Sequence, residues 1–92
     1  MSNEKNGHIP LEPNFSIFVS SLSMQTLIFL GEIDSPLTHK REENLEQAKY
    51  IIDTLAMLKD KTKGNLTAEE VNMLDNVLYE LRMKYTARTG KL

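Results

Sequence analysis

The chain has 92 residues, a formal net charge of -2, 26% charged and 40% hydrophobic residues, and no cysteine. That length allows one small domain at most. The slightly acidic balance argues against a nucleic-acid or anionic-membrane binder, since both need a basic surface. The missing cysteine excludes a disulfide framework or thiolate metal site and fits a cytoplasmic location.

Residues 1–13 are polar and carry Gly7, Pro10 and Pro13, the composition of a disordered N-terminal tail. The alternative is a short arm that docks Ile9 and Leu11 onto a partner. No signal peptide is expected, because Glu4, Lys5 and Glu12 give no positive excess ahead of the apolar run.

That run, Asn14 to Gly31, reads NFSIFVSSLSMQTLIFLG and passes without a charge. Asn14 is placed as an N-cap and Gly31 as a left-handed stop, so the first helix is predicted from Phe15 to Leu30. At 100° per residue its apolar side chains fall on two faces. Phe15, Phe18, Val19, Leu22 and Phe29 form the larger, expected to meet the rest of the domain. Ile17, Met24 and Ile28 form the other. Ser16, Ser20 and Ser23 run between them, either as a close-approach stripe or as the wet side. A membrane span needs about 20 predominantly apolar residues; the serines, Gln25 and Thr26 make this stretch too polar, so no span is expected.

Asp34-Ser35-Pro36 signals a turn in a connector from Glu32 to about Arg41. The second helix is predicted to begin near Thr38 to Arg41 and end near Thr62. Leu45, Ala48, Ile51, Ile52, Leu55 and Leu58 form its core stripe. Glu42, Glu43 and Glu46 fall at its start and Lys59, Lys61 and Lys63 at its end, as the helix dipole favours. Asp53 sits within reach of Lys49.

Gly64-Asn65-Leu66-Thr67-Ala68-Glu69-Glu70-Val71 carries the strongest local signal. Gly64 stops the second helix, Thr67 and Glu70 form a capping box for the third, and Leu66 with Val71 supplies a hydrophobic staple. So short a turn implies an antiparallel hairpin. The third helix is predicted from Ala68 to about Arg88, fraying from Thr86, with residues 89–92 as a C-terminal tail. Val71, Leu74, Leu78, Leu81 and Tyr85 follow seam spacing. In this register Glu42, Glu43 and Glu46 lie alongside Lys84 and Arg88, and Lys59 to Lys63 meet Glu69 and Glu70.

The predicted fold is all-α: a long antiparallel hairpin with a shorter apolar N-terminal helix packed across it, in one three-helix domain over residues 14–88. The hairpin accepts one face of the first helix. Ile17, Met24 and Ile28, with Tyr50, Met57, Tyr79 and Met83, then exceed what such a monomer hides, and a contiguous apolar patch needs a cover. A homodimer with the first helices near the two-fold axis is the expected cover; a monomer with that helix more centrally buried is the alternative. Polar substitution at Ile17, Met24 or Ile28 is expected to dissociate the oligomer before unfolding the hairpin.

No motif carries a reaction, and no cofactor or metal is implied. His8 and His39 fall in predicted tail and loop. The glutamates at the second helix start lack the histidines of a di-metal bundle. Lys61, Lys63, Gly64, Asn65 and Thr67 form a candidate anion site at the third helix N-terminus, against which Thr67 and Glu70 already use the free donors. Asn65-Leu66-Thr67 also fits a glycosylation sequon, without consequence in a cytoplasmic protein. Arg82, near Asp75, Tyr79 and Tyr85, is either a boundary salt bridge or an interface anchor.

Phe15-x-x-Phe18-Val19-x-Ser21-Leu22, Leu30-Gly31, Pro36, Ile52-Asp53-x-Leu55, Lys61 to Thr67 and Leu78-Tyr79-x-Leu81-Arg82-x-x-Tyr85 together resemble a family of small proteins known only as a domain of unknown function. The resemblance spans about Phe15 to Tyr85. It implies a bacterial, mainly helical, cytoplasmic protein and brings no activity. The expected role is a non-catalytic interaction or scaffold module acting through self-association, with a further protein partner in view; a small-anion sensor at the second turn is the alternative.

Overall fold

The computed structural model describes residues 12–90, in which three helices and no strand occur: α1 (Phe15–Phe29), α2 (Leu45–Lys61) and α3 (Ala68–Thr89). The all-α expectation is met. Most of the proposed N-terminal arm, including Ile9 and Leu11, lies outside the described residues.

Asn14 caps α1, its side-chain oxygen accepting the Ile17 N–H at 3.1 Å. At the far end Gly31 takes φ of 76°. The Gly31 N–H donates to the Ile28 carbonyl at 3.0 Å and the Glu32 N–H to the Leu27 carbonyl at 2.9 Å. This paired closure is a Schellman motif, which needs a left-handed residue at that position.

The connector is longer than the sequence suggests. Helix α2 starts at Leu45 rather than between Thr38 and Arg41, so Glu42 and Glu43 precede it and only Glu46 sits in its first turn. Glutamates favour a helix but do not cap one. Asn44 does, accepting the Gln47 N–H at 3.1 Å, while its own N–H donates to the Phe29 carbonyl at 2.8 Å. Ahead of it, the Ser35 N–H donates to the Lys40 carbonyl and the His39 N–H to the Ser35 carbonyl, both at 2.8 Å. Those bonds close a compact loop around buried Ser35.

Thr67 and Glu70 form the predicted capping box: the Glu70 N–H reaches Thr67 Oγ1 at 3.1 Å and the Thr67 N–H reaches Glu70 Oε1 at 2.9 Å. The end of α3 is held where fraying was expected. The helix continues to Thr89, and the Gly90 N–H donates to the Thr86 carbonyl at 2.6 Å. Arg88 reaches Glu43 at 2.8 Å and Glu32 at 3.2 Å. Hydrogen bonds to Glu32 first, and then Glu43, hold its guanidinium above the ordinary arginine value.

One core joins the three helices: Val19 from α1, Ile51, Ile52 and Leu55 from α2, and Leu74, Leu78 and Leu81 from α3. Full burial of each such side chain contributes about 1.5–3 kcal/mol. Of the predicted inward face of α1, Phe15, Val19, Leu22 and Phe29 pack on this core, and the buried side extends to Thr26 and Leu30 in place of Phe18. Val19, Thr26 and Leu30 are fully buried, whereas Phe18 stays 49% exposed. Thr26 can be buried because its hydroxyl donates to the Leu22 carbonyl at 2.8 Å.

Charge pairing follows the predicted register in part. Glu43 meets Arg88, but Lys59 pairs with Asp75 at 2.6 Å and Lys84 lies 3.9 Å from Glu32. No ion pair joins the second-turn lysines to Glu69 or Glu70 among the described residues. Lys49 and Asp53 meet at 2.8 Å, as their spacing implies.

Candidate protein-interaction surface

Helix α1 turns apolar side chains outward as well as inward. Its buried centre is Val19, Thr26 and Leu30. At 100° per residue, Ile17, Ser21, Met24 and Ile28 occupy the opposite side, within an arc of about 60°. Ile17 is 58% and Met24 53% exposed, Ser21 is exposed, and Ile28 is half-buried. The Ser21 hydroxyl donates to the Ile17 carbonyl at 3.0 Å, so the one hydroxyl in this row already has a partner on its own helix. No charged residue occurs anywhere in α1. A helix that is apolar on both sides and charged on neither is ordinarily a covered helix.

The other predicted surface residues, on α2 and α3, are exposed. Tyr50 and Met57 face outward from α2, and Tyr79 and Met83 from α3. Tyr79 and Met83 line an open groove of about 490 Å³ with Leu78, Thr86, Ala87, Arg82, Asp75 and Lys59. Ile28 lines a different groove, of about 390 Å³, against Gln25, Phe29 and the Pro36–Leu37 corner. Tyr50 borders a third depression with Glu46 and Gln47. Four of the seven candidates thus line three separate grooves.

Three exposed apolar residues were not anticipated: Phe18, Leu37 at 90% exposure, and Val71. Ser21 joins the outward row as its small member. Its signal was present in the 4-3-4 spacing of Ile17, Ser21, Met24 and Ile28, a helical seam with one small member.

The model of a family described as a domain of unknown function (DUF1844) matches residues 12–87. The chain belongs to this family. Comparison with curated proteins and with solved structures returns no match. The matched span takes in all of α1 and α2 and nearly all of α3, so the outward side of α1 is part of the family's own domain.

Arg82 is exposed and makes no salt bridge among the described residues. Asp75 is taken by Lys59, whose ammonium sits over Asp75 Oδ1 as an ion pair rather than an aligned hydrogen bond. Of the three arginines, Arg41 and Arg88 reach carboxylates; Arg82 reaches none among the described residues.

At the second turn, Lys61, Lys63, Gly64, Asn65 and Thr67 are all exposed. The N–H groups an anion would use are engaged: Glu70 donates to Thr67, and Asn65 to the Thr62 carbonyl at 2.8 Å. Lys63 borders a groove that also holds Asp60 and Asp75, whose carboxylates repel an anion. Among the described residues, no group of three His, Asp or Glu stands close enough to hold a metal ion. Nor is any helix there long and apolar enough to cross a membrane.

Proposed function

We propose that this chain is a non-catalytic protein-interaction module that works by self-association, forming a homodimer through the outward side of α1. The observation that carries this reading is the charge-free α1. Its exposed Ile17 and Met24 stand opposite its buried Val19, Thr26 and Leu30. Leaving that side in water forfeits about 25 cal/mol for each Å² of apolar surface, and association recovers it.

The hairpin is read as antiparallel. Glu43, just ahead of α2, reaches Arg88 near the end of α3, and Lys59, near the end of α2, reaches Asp75 near the start of α3. In that arrangement α2 and α3 brace one side of α1 and leave the other to a partner. A cysteine-free chain suits the reducing cytoplasm, where we place the module. The anion-sensor reading has less support, because the capping box occupies the donors it would need.

A charge at the centre of the outward side tests the proposal. Met24→Glu buries an unpaired carboxylate in the dimer but meets only water in the monomer. Light scattering on the eluting protein is expected to give a dimer mass for the parent chain and a monomer mass for the variant. Circular dichroism is expected to show equal helicity in the two. An unchanged dimer mass in Met24→Glu would remove α1 from the interface.

A further inference from the structure

Resting on the self-association just proposed, we infer that the occupant of the outward side of α1 is α1 of a second copy, running antiparallel and crossing between Leu22 and Ser23. Three observations lead there.

The first is charge. A two-fold contact brings each patch against its own copy, so any charge on the patch meets the same sign nearby. Helix α1 has no charged residue, which removes that repulsion for a second copy of itself.

Shape is the second. With the axis between Leu22 and Ser23, Ile17 faces Ile28 of the other copy and Ser21 faces Met24. The small exposed Ser21 then leaves room for the 53%-exposed Met24 side chain from across the axis, and the contact occurs twice. Because the Ser21 hydroxyl is bonded within its own helix at 3.0 Å, covering it strands no donor. A parallel pairing sets Ser21 against Ser21 and Met24 against Met24, a gap beside a collision.

The third is the helix dipole. The first turn of α1 holds no acidic residue and the last turn no basic one, so no charged side chain of the helix itself offsets either end. Asn14 caps the first with a neutral amide, and Arg88 reaches the Gly31 carbonyl beyond the last at 3.4 Å while bound to Glu32. Antiparallel pairing sets each positive N-terminus near the partner's negative C-terminus.

The helix is only about 22 Å long at 1.5 Å per residue. The seam is thus smaller than the roughly 1,200–2,000 Å² of a standard stable interface, and the dimer is expected to be reversible.

The absence of cysteine makes the geometry directly readable. Full-length Ile17→Cys and Ile28→Cys chains are prepared separately, mixed, and oxidised at a concentration where sedimentation gives a dimer. Antiparallel pairing places residue 17 against residue 28, so the mixture is expected to form a disulfide-linked dimer joining one chain of each kind. That band is lost when either variant is oxidised alone, because two copies of residue 17 stand about 16 Å apart along the helix, too far for a disulfide. Self-linking of Ile17→Cys would overturn the antiparallel arrangement in favour of a parallel one. A dimer that forms no disulfide in any combination would place the contact on another face, overturning the inference while the self-association reading stands. A monomer at every concentration would overturn both.

Discussion

Gly31 shows how one residue holds two parts of the chain. It closes α1 in the left-handed region, and a Cβ built on it would lie 3.4 Å from Arg88 Nη1 and 3.5 Å from the Glu42 carbonyl. Gly64 is left-handed too, with nothing within 4 Å. The two positions share the backbone penalty of about 1–2 kcal/mol for a side chain there, and at Gly31 the added methyl makes ordinary van der Waals contact with the Arg88 clamp. Urea denaturation is expected to find Gly31→Ala and Gly64→Ala destabilised by similar amounts. A clearly larger loss at Gly31 would show that the Arg88 clamp resists the added methyl. Thr26 and Phe18 teach a different lesson. Sorting α1 by hydropathy puts Phe18 in the core and Thr26 outside, yet burial runs the other way. The threonine satisfies its hydroxyl within its own helix, a local bond that a hydropathy scale does not register.

At the scale of elements, the turn between α2 and α3 was legible because its signals are local. Gly64, Thr67 and Glu70 specify the break and the cap within a few residues, and the seam spacing places Leu74, Leu78 and Leu81 in the core. The connector was less legible because its anchors come from elsewhere in the chain. Asn44 begins α2 partly because the Phe29 carbonyl takes its N–H, and the end of α3 stays wound with Arg88 bound to Glu32 and Glu43. Neither contact is visible in a window of neighbouring residues. Asn44→Ala is expected to cost about 1 kcal/mol, the usual worth of an N-cap, and to speed amide exchange in the first turn of α2. Unchanged exchange at Gln47 would mean that the Asn44 side chain does not hold that turn. Thr67→Ala serves as the matching measurement on α3, where the cap is reciprocal.

For the molecule as a whole, the sequence identified the outward set on α1 from the presence of two apolar faces on one uncharged helix. Ile17 and Met24 proved exposed, and Ile28 half-buried beside the Pro36–Leu37 corner. What the sequence did not reveal was how the exposed residues divide among surfaces. Tyr79 and Met83 share a groove on α3 with Arg82, which meets no carboxylate among the described residues, and Tyr50 lines a separate depression on α2. That division depends on how the helices are rotated about their axes, which the packing of Val19 against Ile51, Ile52 and Leu55 and against Leu74, Leu78 and Leu81 decides. Exposed ion pairs such as Lys49–Asp53 contribute little to this arrangement. The account therefore rests on apolar contact, and its central claim is that two copies cover each other's α1. Sedimentation velocity of the full chain across a hundredfold concentration range tests that most directly. The account predicts a reversible shift from the 10.5 kDa chain mass toward twice that value as concentration rises. A single species of chain mass throughout would contradict it.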